Sequence, residues 1–514
     1  MRITATFLAL LPGMALAGGK NGGKCKKPLV SSQKLQSLVT IDDLLDGSKK
    51  LQEFAYANGG NRAFGGGGHN ATVDWVYKTL KSLNYYNVVK QPFESIYSEA
   101  SGTLTIGGED IQMQPMTYTP AGDVSAPLVP VANLGCEVED YPAEVAGKIA
   151  LISRGSCTFS QKSQNAKAAG AVGALVYNNE EGLVQGTLGE ALLDYAPIAG
   201  ITQADGLALL EKLAEGEVVA DLKIDATVEN RITYNVIAET KGGDHENVLV
   251  VGAHSDSVPA GPGINDDGSG TVGILTVAKA LAKFRVKNAV RFCWWSAEEF
   301  GLLGSEFYVN SINGSQAELA KIRAYLNFDM IASPNYIYGI YDGDGNAFNL
   351  TGPVGSDLIE KNFENFFKAK NTPSVPTEFS GRSDYAAFIE NGIPSGGLFT
   401  GAEVLKTEEE AALFGGEAGV AYDKNYHQPG DTVDNLALDA FLLNTQSIAD
   451  AVATYALSWE GFPEVNLNQR RWDAERSKNI RRSGGSHGHG PRSGGHSHAH
   501  GVAHSGPCGG GDRA

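Results

Sequence analysis

Between residues 229 and 460 short β-branched apolar runs alternate with longer stretches of helical spacing. Asn247-Val248-Leu249-Val250-Val251 reads as a strand buried on both faces. From Ser269 to Phe284 the residues Val272, Leu275, Ala278, Leu281 and Ala282 share one side, which predicts a helix. Ala289 to Trp295 and Ala324 to Phe328 read as a second and a third strand. Such alternation predicts an α/β fold with a mostly parallel central sheet flanked by helices. Upstream, residues 41–90 read as helical, with Trp75, Val76, Leu80 and Leu83 at helical spacing, and residues 93–120 alternate as strands do. Residues 18–40, polar and Gly/Lys-rich at first, read as a loose leader.

The pattern changes over residues 121–228. An apolar strand, Val145 to Ile152, leads into Arg154-Gly155-Ser156-Cys157-Thr158-Phe159. A small-residue helix from Lys162 to Ala169 follows, then Gly170-Ala171-Val172-Gly173-Ala174-Leu175-Val176-Tyr177-Asn178. The Arg-Gly-x-Cys-x-Phe and Ala-Gly-Ala-x-Gly signatures resemble the protease-associated (PA) domain, a β-rich module inserted in several hydrolases. Residues 41–120 and 229–462 then form one interrupted domain around a PA insertion at 121–228. Residues 466–514 hold six of the chain's ten His among Gly, Ser and Arg, and read as a disordered tail.

Charge removes some functions. The net charge of −18 disfavours nucleic acid, whose phosphates need a basic face. Residues 1–17 read as a secretory signal: Arg2, an apolar stretch from Ile3 to Leu11, and Ala15-Leu16-Ala17 before the cleavage point. No later run reaches the ~18 apolar residues that span a bilayer. The expected location is extracellular or the vacuolar lumen, with no membrane partner. Sequons at Asn70, Asn313 and Asn349 agree. Of the five Cys, Cys136 and Cys157 lie close together in a Gly-rich region and are expected to bridge, whereas Cys293 sits in an apolar run and reads as a buried small hydrophobe.

The chemistry follows the strands. The first ends in Gly252-Ala253-His254-Ser255-Asp256-Ser257, the second in Ser296-Ala297-Glu298-Glu299, the third in Asn327-Phe328-Asp329. In open α/β sheets ligands bind outside the carboxyl ends of the strands, so these groups converge on one crevice. An acidic loop, Gly263-Ile264-Asn265-Asp266-Asp267-Gly268-Ser269-Gly270, enters the predicted helix, and Asn425-Tyr426-His427-Gln428-Pro429-Gly430-Asp431-Thr432 comes later. Two imidazoles and several carboxylates suit a pair of Zn²⁺ ions, which polarise a carbonyl and acidify water. Adjacent Glu298 and Glu299 can divide ligation from proton transfer. Other patterns fail. His-Glu-x-x-His is absent, Gly484 to Gly488 fits Gly-x-Ser-x-Gly without a strand before it, and Asp342-x-Asp344-x-Asn346 carries Ala347 and Pro353 where a calcium loop needs Gly and Glu.

Together, Gly-Ala-His-Ser-Asp-Ser, Asn-Asp-Asp-Gly-Ser-Gly, Ala-Glu-Glu-x-Gly-Leu-x-Gly-Ser, Leu-Asn-x-Asp-Met and Tyr-His-x-x-x-Asp resemble the co-catalytic dizinc aminopeptidases. The inserted PA domain narrows the resemblance to aminopeptidase Y and the secreted fungal leucine aminopeptidases, over residues from about 40 to 460. It implies that His254 and Asp329 bind one zinc, Glu299 and His427 the other, and that Asp266 bridges them. It further implies Glu298 as general base, Asp256 as the hydrogen-bond partner of His254, Tyr426 as an oxyanion donor, and a cis peptide at Asp266–Asp267. Arg382 is expected to position substrate and Asp384 to support the site. Peptides with a free N-terminus and apolar first residues such as Leu are the implied substrates; the oligomeric state stays open, a monomer included. The alternatives are a PA-domain metallo-carboxypeptidase of the same superfamily, which needs basic residues for a C-terminal carboxylate, and a non-catalytic binding protein, which should lack several ligands.

Overall fold

A computed structural model describes residues 27–191, 193–471 and 473 of the chain. Four adjacent parallel strands lie at its centre: Asn288–Trp295, Asp244–His254, Ile322–Phe328 and Ser395–Phe399. The short strands Gly339–Tyr341 and Val375–Thr377 extend the sheet beyond Ser395–Phe399, the former antiparallel to it. On the other side Val219–Thr240 runs antiparallel to Asn288–Trp295 and pairs with Tyr86–Ile106 along their whole lengths, Tyr86 opposite Thr240 and Ile106 opposite Ala220. The sheet is therefore mixed, with a parallel heart.

The long ribbon carries the inserted module. Gly122–Pro130 pairs with its far end, and Ile149–Ser153, Gly173–Tyr177 and Ile198–Ile201 continue as parallel neighbours. A helix, Phe159–Ala168, covers one face, its first turn capped by the Thr158 hydroxyl. Cys136 and Cys157 are joined by a disulfide, and Cys293 is a buried free thiol. Cys25 and Cys508 lie outside the described residues.

The helix predicted from residue 269 runs Gly268–Leu281 and is buried all round except at Lys279. It lies between the sheet and the helices Ile41–Tyr56 and Leu438–Leu457, which explains its Gly, Ala and Val content. Residues 41–90 resolve into Ile41–Tyr56, Gly67–Ser82 and the start of the long strand, with Val76 and Leu80 buried in the core.

Two expectations at the ends are corrected. Residues 27–40 are not loose. Ser32–Gln36 is helical, Val30 donates its N–H to Arg285 O at 3.0 Å, and Val30, Leu35 and Val39 are buried in the main core. The aliphatic residues here, Leu29, Val30, Leu35, Leu38 and Val39, are interleaved with polar ones without a long regular period, yet the three buried ones close the core against Leu438–Leu457. Nor does disorder begin at residue 466: Arg470 is buried and donates to the carbonyls of Leu319, at 2.7 Å, and Ile322, while Asp473 accepts from Gln469 at 3.0 Å. The signal segment and the rest of the tail lie outside the described residues. No helix among the described residues is long and apolar enough to cross a membrane.

Truncating Leu35, which is fully buried, should lower unfolding free energy by about 3 kcal/mol through lost transfer energy and a cavity. Urea denaturation of Leu35→Ala measures this; an unchanged midpoint would mean that the segment is a dispensable leader.

Candidate active site

The three central strands end level with one another. Trp295 lies opposite His254, and Asn327 opposite Gly252, so the residues that follow them enter a common crevice. The Asp266–Asp267 loop and the 425–432 loop close it. Asp266 stands between the two histidines: its Oδ1 is 3.1 Å from His254 Nε2 and its Oδ2 is 3.2 Å from His427 Nε2. Asp329 Oδ1 is 3.5 Å and Glu298 Oε2 3.9 Å from His254 Nε2, while Glu299 Oε2 is 2.9 Å from His427 Nε2. Asp256 Oδ1 lies 3.6 Å from His254 Nδ1 and accepts the Glu298 N–H at 3.2 Å. All eight positions expected at the centre are thus within one cluster, Tyr426 stacking on His427 at 3.8 Å.

The backbone is bent to achieve this. The Asp266–Asp267 peptide is cis, and Ala297, Met330 and His427 hold positive φ of 59°, 55° and 56°. Non-glycine residues take that conformation only where surrounding structure imposes it. Gly270 is required for a different reason, since a Cβ there would come within 1.9 Å of Phe328 O. Asp267 binds the loop to two strands: its carboxylate accepts from the N–H groups of His254, Gly270 and Met330 at 3.1, 2.8 and 3.0 Å. It belongs to a possible metal-holding group with His254 and Asp329, but its oxygens are already spent on backbone amides.

Several partners had no signal of their own in the sequence. Asp431 accepts the N–H groups of Asn265 and Asp266 at 2.8 and 3.0 Å, holding the acidic loop; it lay within the Tyr-His-x-x-x-Asp pattern but without a role. Arg62 is completely buried and donates to the carbonyls of Ser255, Pro262 and Gly263, a cation behind the carboxylates. His69 is buried with Nε2 3.0 Å from Ser255 Oγ. Ser383 donates to Asp329 and accepts from Asn327 at 2.8 Å. Asp384 is buried close to this group with Oδ1 unpartnered, and Arg382 sits at the mouth, donating to Glu403 at 2.7 Å and to the Tyr426 hydroxyl at 3.2 Å. The sequon residues Asn70, Asn313 and Asn349 are all exposed.

Electrostatics follow from burial and crowding. Burial raises the Glu298 carboxyl well above its usual range, the nearby carboxylates adding to this against His254. Burial also raises Glu299, and it lifts Asp384 to about 7 and Asp431 to about 8. Asp266 goes the other way, because two imidazoles outweigh its burial. His427 is pushed up to about 11 by Glu299 and Asp266, against its own burial. A cluster in which carboxylates outnumber cations calls for positive charge. Buried His254 Nδ1, Glu299 Oε1 and His427 Nε2 lack hydrogen bonds, and the converging donors are imidazole nitrogens and carboxylate oxygens. The residues fit zinc on both counts.

Residues 235–452 match peptidase family M28, and residues 124–209 match the PA domain. The chain is 56% identical over 469 residues to the probable leucine aminopeptidase 2 of Aspergillus fumigatus, covering 90% of this chain and 93% of that one. It is 54% identical over 465 residues to leucine aminopeptidase 2 of Arthroderma otae, with coverage of 90% and 93%. Among solved structures it resembles an aminopeptidase from Aneurinibacillus sp. strain AM-1, with TM-score 0.63 and 27% identity over 85% of this chain and 97% of that one. It also resembles BSAP, a zinc aminopeptidase from Bacillus subtilis, with TM-score 0.59 and 27% identity over 83% and 96%.

His69 supplies a pH test. Burial lowers its pKa to about 4 from an ordinary 6.5, so the folded protein keeps the ring neutral while the unfolded chain protonates it. Its contribution is intact above pH 6.5 and is lost as pH falls toward 4. Relative to His69→Gln, the wild type should lose stability over that window, about 3 kcal/mol in all at 1.4 kcal/mol per unit. Chemical denaturation of both proteins across that range reads the difference; parallel curves would place a charged His69 in the fold.

Proposed function

We propose, from the premise that the chain belongs to peptidase family M28 and is a zinc aminopeptidase, that it releases apolar first residues such as Leu from peptides with a free N-terminus. The observation that carries the site assignment is Asp266, whose two oxygens face two different imidazoles. A carboxylate so placed suits a bridge between two zinc ions. His254 and Asp329 would hold one, Glu299 and His427 the other. Zinc bound there supplies Lewis acidity toward the scissile carbonyl and lowers the pKa of water.

The remaining steps fall to the chain itself. Glu298, buried, with Oε2 facing the crevice and a raised pKa, takes a proton from water and returns it to the leaving amine. Its backbone N–H is fixed by Asp256, and the same carboxylate lies 3.6 Å from His254 Nδ1, so one side chain holds the Glu298 loop and stands beside the His254 ring. Tyr426 offers its O–H to the developing oxyanion. The carboxylate-rich crevice favours the ammonium of a free N-terminus. A grip on a C-terminal carboxylate is poorly served, since Arg382 is already engaged by Glu403 and Tyr426. The signal-like start of the sequence supports action outside the cytosol, in the medium or the vacuole.

Amine release from Leu-anilide, with no turnover of its N-acetyl form, is the expected activity; chelation should abolish it and Zn²⁺ restore it. Glu298→Gln should cut kcat by about 10³-fold with zinc content unchanged. Turnover of the acetylated substrate would remove the aminopeptidase reading, and a fully active Glu298→Gln would place proton transfer elsewhere.

A further inference from the structure

At the mouth of the crevice three side chains form a line: Glu403, Arg382 and Tyr426. Arg382 Nη1 donates to Glu403 Oε1 at 2.7 Å, and Nη2 donates to the Tyr426 hydroxyl oxygen at 3.2 Å. The other Glu403 oxygen is buried without a hydrogen bond, so Arg382 is the counter-charge that its carboxylate is given among the described residues. The Tyr426 ring lies on the His427 imidazole at 3.8 Å, tilted by 23°. We infer that Arg382 and Glu403 are positioning residues for Tyr426, fixing which way its hydroxyl points, rather than a grip on the substrate.

A phenol oxygen has one proton to give. When it accepts from a guanidinium, its own O–H must point away from Arg382, and the same cation makes that O–H a stronger donor. Ring stacking fixes the plane of Tyr426, while Arg382 fixes the rotation of its hydroxyl. An arginine on a flexible stem does this well only when its far edge is held, and Glu403 holds it. The segment that carries Arg382 also carries Ser383, which donates to Asp329, so one short connector touches both ends of the crevice. Oxyanion donors act by being aimed before the charge develops, and a misaimed donor costs rate without costing affinity.

The pair itself stabilises the fold little. The Arg382 and Glu403 side chains are 50% and 26% exposed, and ion pairs that water reaches contribute little to stability. Glu403→Gln, which leaves no unpaired carboxylate behind, should therefore leave the melting midpoint in place and fall on Tyr426 alone. This inference rests on the aminopeptidase reading and on Tyr426 as oxyanion donor.

The test is a double-mutant cycle with Leu-anilide, reading kcat and KM separately on zinc-loaded enzyme. Tyr426→Phe should lower kcat about 100-fold, the usual loss for one oxyanion donor. In the wild-type background Arg382→Met should lower kcat about tenfold with KM nearly unchanged, Glu403→Gln a few-fold, and Arg382→Lys should recover part of the loss because it keeps a charged donor. In the Tyr426→Phe background Arg382→Met and Glu403→Gln should cost nothing more, because nothing remains to aim. If Arg382→Met instead raises KM and costs the same factor in both backgrounds, Arg382 holds substrate directly and the inference falls. It falls too if Tyr426→Phe keeps the wild-type kcat. A wild type inactive on Leu-anilide would sink the aminopeptidase reading first, an outcome distinct from the other two.

Discussion

The crevice concentrates Asp256, Asp266, Asp267, Glu298, Glu299 and Asp329 around two imidazoles, the first four of them buried. Buried carboxylates at such spacing repel, and each loses its hydration. The fold divides them by their partners. Fixed donors meet Asp267, through three backbone amides, and Asp431 behind the acidic loop, through two more, while the Arg62 guanidinium at the rear donates to backbone carbonyls. Others keep atoms with no such donor: Asp256 Oδ2 and Glu299 Oε1 are buried without a hydrogen bond, as are His254 Nδ1 and His427 Nε2, while Asp266 turns its two oxygens toward two imidazoles. This asymmetry separates a cation site from a buried structural network, in which every polar atom would be satisfied.

The demand for a counter-charge behind the crevice reaches far along the chain. Arg62 stands on the connection between the helices Ile41–Tyr56 and Gly67–Ser82, nearly two hundred residues before the loops it binds. Its three carbonyl partners belong to the turn after the His254 strand and to the acidic loop, so it ties both to the amino-terminal helices. Those helices pack on the buried helix Gly268–Leu281, whose first turn Asp267 caps. Residues 30–39 in turn cover the outer face of the same core. The connection that carries Arg62 is therefore part of the active-site wall, and the segments on either side of it pack on the core behind that wall.

This layout explains what was legible in the sequence. His254, Glu298, Glu299 and Asp329 each follow an apolar strand directly, so strand prediction and the polar residues after it point to the same place. Asp266, Asp267 and His427 stand in the short polar motifs Asn-Asp-Asp-Gly-Ser-Gly and Tyr-His-x-x-x-Asp, which carry the family resemblance. Arg62 and His69 had no such context: one lies between Asn61 and Ala63 in a Gly-rich loop, the other in the first turn of a helix, and their partners are set only by tertiary packing. The same holds for Val30, Leu35 and Val39, which fill a groove that no local pattern describes. Arg470 binds carbonyls of residues 319 and 322, so a basic side chain that reads as tail is in fact a clamp.

The inserted module is joined to this centre by a ribbon. Strands Tyr86–Ile106 and Val219–Thr240 keep one unbroken register from the catalytic sheet to the insertion, so the module's placement follows from the ladder and not from a flexible linker. Midway, the ribbon meets the loop that carries the two adjacent glutamates. Phe300, immediately after Glu299, packs on Phe64 at 4.7 Å and on Tyr97 at 5.3 Å, and Arg231 from the opposite strand covers Tyr97 at 3.3 Å. Aromatic packing of this density resists displacement in pieces. The positive φ at Ala297 puts the turn under strain that this cluster, on its outer side, helps to contain. The ribbon therefore does two jobs with one set of residues: it carries the insertion, and it braces the backbone from which Glu298 and Glu299 enter the crevice.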